Sequence, residues 1–431
     1  MKQIKQLLRG KMAHNAGWLI GAKVYQVAVN LIVSMLTARF LGPSNYGLIN
    51  YAASFTALFT SVCTLGINSV LVNELLSQRH SQGKVLGSSI GLRLASSFFS
   101  VVTIVALACA LNPGEKLTVL VVLIYSTTLI FQCFDTINYW YQAHLNSKTA
   151  AVIAAIGYTA ASVYKIILLV AQKNVLWFAA SHVVEYALVG ALLIVSYCRD
   201  SGEDQKLKFS WRTGKGILSQ SYHFILSGLM VAIYGQMDRI MLKSMLNEAA
   251  VGFYSAAAAV TTMWPFVLAA IIDSAKPVIL AQYAVSKERF EKYLTRLYGA
   301  ILYVSIAVAV VITLLSKYII LILYGEAYLE AQSALCILCW DTAFSYLGVA
   351  RSTWLVPQKK QKYEKYIAAS GAVCNLILNA VLIPVWGVSG AAVATLLTQI
   401  FTNAIVGFFI KDIRRNNVLI LRGFCIWRYI K

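Results

Sequence analysis

Polar and ionisable side chains recur at helical spacing inside several long apolar segments of the chain. Residues three or four positions apart lie on the same face of a helix. The first segment carries Lys23, Gln26 and Asn30, with Ser34 and Thr37 continuing the same face. A charge in hydrocarbon is costly, so such a face must meet other helices or a water-filled cavity instead of lipid.

Comparable polar faces occur in the fifth and seventh apolar segments. Tyr158 and Lys165 share a face in the fifth segment, and Tyr234, Asp238 and Arg239 cluster in the seventh. For isolated Ser and Thr positions we favour hydrogen bonds between helices. For the charged positions we expect a hydrated cavity between two halves of the protein, although Arg239 could equally reach lipid headgroups.

The chemistry that these residue types can perform is recognition of a polar anion. Cations suit a phosphate or an acidic sugar, and amides and hydroxyls suit sugar hydroxyl groups. We predict that the substrate-binding residues are Lys23, Gln26, Asn30, Tyr158, Lys165, Tyr234 and Arg239.

Three carboxylates inside apolar segments are candidates for ion coupling. Asp135 lies toward the inner end of the fourth segment, Asp238 in the seventh, and Asp341 near the middle of the tenth. An ionisable residue within a membrane helix commonly pairs with another charge or carries a proton. We therefore predict that these three residues take part in coupling transport to an ion gradient.

The elements that position these residues are about twelve membrane-spanning helices. The chain has 431 residues, of which 59% are apolar and 13% are charged, and a run of about 20 apolar residues spans a bilayer. The predicted segments are 17–38, 46–72, 86–111, 117–141, 150–172, 175–197, 217–242, 250–272, 297–323, 331–356, 364–385 and 388–410. This pattern excludes a soluble protein.

Lys and Arg residues are concentrated in alternate gaps between these segments. The basic gaps include residues 199–215 and 276–296, whereas the intervening gaps are poor in Lys and Arg. Cytoplasmic loops carry such an excess, so we predict that both termini are cytoplasmic and that the first segment is retained as a helix. The net charge of +20 is explained by topology and anionic lipid, and we expect no nucleic-acid partner.

The longest polar stretch divides the chain into two halves. We predict an N-terminal six-helix lobe at 1–198, a cytoplasmic linker at 199–216, a C-terminal six-helix lobe at 217–410 and a basic cytoplasmic tail at 411–431. A weak repeat supports the division, because residues 38–59 align with residues 243–264 at an offset of 205. Both copies have the same orientation, so the predicted fold is all-α with two lobes related by a parallel pseudo-repeat.

Neither a cofactor nor a metal site is predicted. Cys336 and Cys339 form a C-x-x-C pair, but it lies within an apolar segment without accompanying His or further Cys residues. The sequence contains no nucleotide-binding G-x-x-x-x-G-K-[ST] motif. Energy for transport must then come from an ion gradient or from the gradient of the substrate.

Two longer motifs carry a family resemblance. They are ARFLGPSNYGLINYAASFTALFTSVCTLGINSVLVNELL, from Ala38, and NLILNAVLIPVWGVSGAAVATLLTQ, from Asn375. Together with the block from Leu323 to Val356, they resemble the polysaccharide-exporter family, the O-antigen or oligosaccharide-lipid flippases. That family belongs to the multidrug/oligosaccharidyl-lipid/polysaccharide exporter superfamily. The resemblance implies a twelve-to-fourteen-helix fold similar to that of multidrug-and-toxin exporters.

The resemblance also implies a function. Family members move undecaprenyl-diphosphate-linked glycan repeat units from the inner to the outer leaflet of the bacterial cytoplasmic (inner) membrane by alternating access, with ion coupling. The implied partners are the lipid-linked oligosaccharide, membrane lipids, and a glycan polymerase with its chain-length regulator. No family motif fixes the cavity cations, so the predicted site residues rest on helical spacing alone.

Three alternatives remain open from the sequence. A multidrug exporter of the same fold would bind cationic aromatic compounds, which a surplus of intramembrane cations disfavours. A membrane glycan polymerase or ligase would need a sizeable outer loop with catalytic residues, whereas the outer loops here are short. A purely structural role would leave the polar faces unexplained.

Overall fold

The fold is all-α, as predicted. The computed structural model describes residues 2–77, 81–202, 205–283 and 285–424, and it describes side chains from Trp18 onward except those of Leu19, Ile20, Ala22 and Lys23. Within these ranges every regular element is helical. Ten of the described helices are long and apolar enough to cross a membrane.

The helices follow one another with short connections. They are α1 (Lys2–Thr64), α2 (Leu71–Leu76), α3 (Gln82–Leu111), α4 (Lys116–Ser126), α5 (Thr128–Gln132), α6 (Thr136–Ala143), α7 (Ser147–Val170), α8 (Val175–Asp200), α9 (Trp211–Met245), α10 (Glu248–Thr261), α11 (Phe266–Tyr283), α12 (Lys287–Leu323), α13 (Ala331–Leu355), α14 (Glu364–Ile400) and α15 (Arg414–Gly423).

Two of these helices each hold two of the predicted segments. Helix α1 has 63 residues, about 95 Å at 1.5 Å per residue, which far exceeds a hydrocarbon core of about 30 Å. It is interrupted at Gly42 (φ 71°), directly before Pro43. Helix α14 is interrupted at Gly387 (φ 56°), after Pro384. With these two breaks, the ten apolar helices of the described ranges account for eleven of the twelve predicted segments, and the eighth falls mostly on the shorter helix α10.

Several predicted segment ends are wrong. The second segment was predicted to reach residue 72, but its helix ends at Thr64 because Leu65 (φ 51°) and Gly66 (φ 64°) turn the backbone out of the helical region. The eighth segment is split between α10 and α11, and Pro265 lies in the break. A proline removes a backbone donor and clashes with the preceding turn, which explains the interruption.

The chain divides into two compact units, each with a core of its own. The first unit comprises residues 1–41 and 48–232, and the second comprises residues 42–47 and 233–431. Tyr141 and Tyr197 are fully buried in the core of the first unit, and Tyr298 and Leu347 in the core of the second. The six-helix lobes at 1–198 and 217–410 stay a prediction.

Two glycines allow the short α1 segment of the second unit to contact α10 through backbone atoms. A Cβ atom added to Gly47 would lie 1.8 Å from the Glu248 carbonyl oxygen, and one added to Gly252 would lie 2.1 Å from the Pro43 carbonyl oxygen. No side chain fits at either position. The motif around Gly47 therefore includes a requirement for close helix packing.

The beginning of the predicted basic tail is a packed helix. Helix α15 docks on α12, where the Arg415 guanidinium pairs with the Glu291 carboxylate. Nearby, the Tyr298 hydroxyl donates to Asn416 Oδ1 at 2.6 Å. The apolar side of α15 contributes Leu419 and Ile420 to the core of the second unit.

Candidate functional site

A buried carboxylate forms the centre of a polar site in the second unit. Asp238, on α9, is 3% exposed. Its Oδ1 accepts from Asn375 Nδ2 at 3.1 Å and from Asn379 Nδ2 at 2.6 Å. Its Oδ2 accepts from the Tyr254 hydroxyl at 2.6 Å and from Thr395 Oγ1 at 2.7 Å. Four donors thus surround one carboxylate, which offsets much of the penalty of burying the charge.

The kink in α14 explains how one helix contributes to both sides of this carboxylate. Asn375 and Asn379 lie one turn apart before the kink, and Thr395 lies after it. Gly387 adopts φ 56° and ψ −130° at the kink. A Cβ atom on Gly390 would lie 2.2 Å from the Leu382 carbonyl oxygen, so the turn is tight enough to exclude a side chain there.

The site is rich in oxygen atoms that could bind a small cation. Asn379 Oδ1 is buried without a hydrogen-bond partner. Rotation of this amide would present Oδ1 to the space now filled by the amide donor. The Asp238 carboxylate, the Asn379 amide oxygen and the Thr395 hydroxyl are the kinds of ligand that hard cations prefer. No group of three or more His, Cys, Asp and Glu residues in the described ranges is arranged to hold a metal ion.

A second predicted carboxylate lies close to the same site. Asp341, on α13, interacts electrostatically with Asp238 and with Tyr234. Its Oδ1 is buried and accepts no hydrogen bond. An orphaned carboxylate oxygen in a membrane helix is expensive unless a proton or a cation satisfies it. The structure thus brings two of the three predicted coupling residues together.

Tyr234 begins a chain of hydrogen bonds that ends at a buried arginine. Gln399 Nε2 donates to the Tyr234 hydroxyl at 2.6 Å, and Asn403 Nδ2 donates to Gln399 Oε1 at 2.8 Å. The Arg351 guanidinium then donates to Asn403 Oδ1 at 2.6 Å and to the Thr402 carbonyl at 3.1 Å. Arg351 is only 6% exposed, and its guanidinium stabilises the irregular helical turn Phe401–Ile405 that directly follows α14.

Arg239 is held beside the Asp238 site. Its Nε donates to Ser255 Oγ at 3.0 Å, and its terminal nitrogen donates to Gln236 Oε1 at 2.8 Å. The guanidinium carbon lies 5.8 Å from the centre of the Tyr254 ring. These contacts fix the cation within the second unit, one residue from Asp238.

The first unit contains a polar cavity of about 170 Å³. Residues of α1, α4, α7 and α8 line this cavity. Four of the lining residues were predicted to bind substrate. The lining residues are Gln26, Val29, Asn30, Val33, Tyr125, Tyr158, Ala161, Ser162, Lys165, His182, Glu185 and Tyr186. The structure therefore places Gln26, Asn30, Tyr158 and Lys165 around one cavity. The side chain of Lys23 is outside the described residues.

One wall of this cavity carries a Lys–His–Glu series. Lys165 Nζ lies 3.4 Å from His182 Nε2, and His182 Nδ1 lies 3.8 Å from Glu185 Oε2. When Lys165 is protonated it can only donate, and the imidazole tautomer that accepts at Nε2 carries its proton on Nδ1, which faces Glu185. The cavity thus contains a basic and an acidic side chain with an imidazole between them.

Asp135 is not among the residues that line this cavity, but it interacts electrostatically with Tyr158, Glu185 and Tyr186, which do. It lies in a short 3₁₀ turn at Cys133–Asp135 between α5 and α6. Arg93 interacts with it electrostatically. The Arg93 guanidinium donates to Thr136 Oγ1 at 2.8 Å and to the Gln132 carbonyl at 2.9 Å. Arg93 is 3% exposed, and it bonds residues on both sides of the 3₁₀ turn. This turn interrupts the predicted segment 117–141.

Sequence reasoning missed several residues of both sites. His182 and Glu185 lie three positions apart on α8, and Asn375 and Asn379 lie four apart on α14. Further along the chain, Thr395, Gln399 and Asn403 also place a polar side chain at every fourth position. The polar-face criterion applied to the other helices would have found all of these positions.

The ten long apolar helices of the described ranges define a multi-pass membrane protein. The chain belongs to the family described as "Polysaccharide biosynthesis protein", whose sequence profile matches residues 12–282. A second profile, described as MatE, matches residues 224–381. The family predicted from the sequence motifs is confirmed.

A known protein and a solved structure are similar to the chain over most of its length. The chain is 20% identical over 406 residues to the capsular polysaccharide biosynthesis protein CapF of Staphylococcus aureus, covering 93% of this chain and all of CapF. The fold is similar to that of the lipid II flippase MurJ in an inward closed conformation, with a TM-score of 0.75, 16% identity, and coverage of 96% of this chain and 93% of MurJ.

The fold is also similar to that of a multidrug resistance MATE family transporter of the MOP superfamily in an inward-facing conformation. The TM-score is 0.68, with 15% identity and coverage of 94% of each chain. The predicted similarity to multidrug-and-toxin exporters is thereby confirmed at the level of the fold.

Proposed function

We propose that the protein is an ion-coupled flippase for a lipid-linked oligosaccharide. In this proposal it moves undecaprenyl-diphosphate-linked repeat units of a surface polysaccharide, such as an O-antigen, from the inner to the outer leaflet of the bacterial cytoplasmic membrane by alternating access. The family and the resemblance to CapF support the polysaccharide, and the fold of MurJ supports transport of a lipid-linked substrate.

The observation that carries the ion coupling is the buried Asp238 carboxylate with its four donors. Each donor group also carries an oxygen atom, so the same residues could surround a bound cation after the amides and hydroxyls reorient. Exchange between the hydrogen-bonded arrangement and the cation-bound arrangement would move the part of α14 that carries Asn379 relative to the part that carries Thr395, on the other side of the kink. A cation that binds one arrangement better than the other shifts the population between them.

Asp341 supports the same role. Its buried, unsatisfied oxygen lies within electrostatic range of Asp238, so the uptake of a cation or proton at one carboxylate changes the affinity of the other. Two coupled carboxylates would let ion entry and ion release occur in different conformations. Asp135 is the third proposed coupling residue, although its neighbour is the Arg93 cation.

The cavity of the first unit supports contact with a polar group of the substrate. At about 170 Å³ it is smaller than the roughly 300–1,000 Å³ of ordinary ligand pockets. It could hold one phosphate or one sugar, whereas a complete repeat unit requires more space. Lys165, Gln26, Asn30 and Tyr158 are the proposed contacts there, and an anionic group would compete with Glu185 for the cation.

The remaining assignments complete the proposal. Tyr234, Arg239 and Lys23 are proposed to contact substrate, and both termini are proposed to be cytoplasmic. A glycan polymerase and a chain-length regulator are proposed partners that would receive the flipped repeat unit. Transport of this kind involves no covalent chemistry on the substrate.

Complementation tests the function. The gene is expressed in bacteria that lack their own oligosaccharide-lipid flippase, and surface polysaccharide is measured on gels with a panel of repeat units. We expect wild type to restore polysaccharide with at least one repeat unit, and Asp238→Asn to fail at matched expression. Asp273→Asn is the control because Asp273 is an exposed carboxylate. Failure of wild type with the whole panel would refute the proposal.

A multidrug exporter is the second candidate, because the MatE profile matches residues 224–381 and MATE transporters share the fold. Cells that lack their main drug exporters distinguish the two functions. Increased resistance to cationic aromatic dyes, with no restored polysaccharide, would favour the exporter.

A further inference from the structure

A groove between α7 and α8 combines basic and apolar side chains outside both sites described above. It has a volume of about 470 Å³ and belongs entirely to the first unit. The α7–α8 groove is lined by Lys148, Thr149, Val152, Ile153, Leu192, Val195, Ser196 and Arg199. The α8 residues lie at positions 192, 195, 196 and 199, a pattern that places them on one face of the helix, toward α7.

Polar and apolar residues are separated along this groove. Lys148 is in the first turn of α7 and Arg199 is in the last turn of α8, so both cations lie at the same end. One turn further along each helix, Val152 is 39% exposed and Val195 is 66% exposed. A ligand that fills the groove must therefore have a charged end and an apolar body.

The charged end of the groove favours an anion. The Arg199 Nε donates to Asp200 Oδ1 at 3.1 Å, and the Tyr141 hydroxyl donates to Asp200 Oδ2 at 3.0 Å. The terminal nitrogens of the guanidinium provide further donors. Lys148 Nζ lies 5.3 Å from the centre of the Trp18 ring. The Asn146 side chain makes no capping hydrogen bond at the start of α7, so the partial positive charge of the helix terminus adds to that of the two cations.

We propose that the α7–α8 groove binds an anionic phospholipid of the inner leaflet. Its phosphate lies between Lys148 and Arg199, and one acyl chain follows Val152 and Val195. Basic pockets between membrane helices on the cytoplasmic side suit anionic headgroups, and the positive-inside pattern places both cations on that side. The exposed valines favour a lipid over a free phosphate ion. This site does not depend on the transported substrate.

Native mass spectrometry of the full-length protein in detergent tests the proposal. Phosphatidylglycerol and phosphatidylcholine with identical acyl chains are added in turn, and the bound fraction is measured for each. We expect wild type to prefer phosphatidylglycerol, and Lys148→Gln/Arg199→Gln to bind it at least about tenfold more weakly, since each cation near an anionic lipid contributes roughly a fivefold effect.

The double variant Lys116→Gln/Lys317→Gln is the matched control. It also removes two exposed cations, but neither of them lines the α7–α8 groove. It is expected to keep the phosphatidylglycerol preference. An equal loss in this control, or no preference for phosphatidylglycerol in wild type, would overturn the proposal.

Two further arms separate a lipid site from a simple anion site. Val195→Trp keeps both cations but fills the apolar wall, and it should weaken phosphatidylglycerol binding while the variant elutes and melts like wild type. Glycerol phosphate, which carries the headgroup charge without acyl chains, should not displace the lipid at equal concentration. Unchanged binding by Val195→Trp, or displacement by glycerol phosphate, would contradict a phospholipid site.

Discussion

Asn379 Nδ2 donates to Asp238 Oδ1 at 2.6 Å, and this contact joins α9 to the first half of the kinked helix α14. Thr395 reaches the other carboxylate oxygen from the second half of the same helix. One acidic side chain thus connects both sides of the kink. Loss of its charge should affect the kink as well as any bound ion.

Asp238→Asn should abolish coupled transport and reduce stability. An asparagine has one acceptor oxygen where the carboxylate has two, so Tyr254 and Thr395 would face an NH2 group and lose the acceptor they share. Thr395 can still donate to the Ala391 carbonyl, but the pair would have to reorient to keep both hydroxyls satisfied. A buried unsatisfied polar group costs about 1–3 kcal/mol. Transport of a fluorescent lipid-linked oligosaccharide into proteoliposomes, with and without an ion gradient, measures the first effect, and thermal unfolding in detergent measures the second. Ion-dependent transport by Asp238→Asn at the wild-type rate would contradict the coupling role.

Gly47→Ala should destabilise the protein strongly. The new methyl group would lie 1.8 Å from the Glu248 carbonyl oxygen, so α1 and α10 would have to separate. Overpacking of this kind typically costs about 1–3 kcal/mol. Gly235→Ala is the matched control, since its Cβ atom would meet nothing within 4 Å. Melting temperatures in detergent compare the two variants, and equal values for both would show that this packing is dispensable.

Most of the fold could be predicted from the sequence, because apolar length and the distribution of Lys and Arg reflect the bilayer directly. The kinks at which one helix bends and then continues could not be predicted from the sequence. Gly42 and Gly387 carry positive φ angles inside long helices, and only the folded backbone shows that the chain resumes a helix immediately after each of them. Apolar runs alone place an ordinary loop there.

The candidate sites were only partly predictable for a related reason. Spacing along one helix identified Asp238, Lys165 and Tyr158, but it gave no information about which neighbouring helix would face them. Asn375 reaches Asp238 across 137 positions of sequence, and this contact depends on how α14 packs and bends. The Glu185 carboxylate, which balances Lys165, was likewise absent from the predicted set although it lines the same cavity.

Gly387→Ala should impair the Asp238 site through the backbone alone. The Cβ atom would have space, since its nearest neighbour is Leu246 Cδ1 at 3.9 Å, but the backbone angles at this position are unfavourable for any residue with a side chain. We expect a loss of about 1–3 kcal/mol in stability and slower transport, measured by unfolding and by the proteoliposome assay. Gly114→Ala offers a comparison, because Gly114 also has a positive φ but lies in a loop outside the site. If Gly114→Ala slows transport as much as Gly387→Ala does, the effect would reflect general strain and not the α14 kink.

Lys165→Met and Glu185→Gln should show strong coupling in stability. Each single variant leaves one charge without its opposite in the cavity of the first unit, with His182 between the two positions. Breaking a fully buried, directly bonded charge pair from one side costs about 3–5 kcal/mol, whereas replacing both members is often close to neutral. Because Lys165 is only partly buried and meets Glu185 through His182, we expect a smaller loss of the same sign. We therefore expect the double variant to melt at a higher temperature than either single variant. A transport measurement distinguishes a role in stability from a role in substrate binding. If Lys165 contacts the substrate, the double variant should be stable but remain inactive. A double variant that is both stable and fully active would show that this pair serves folding only.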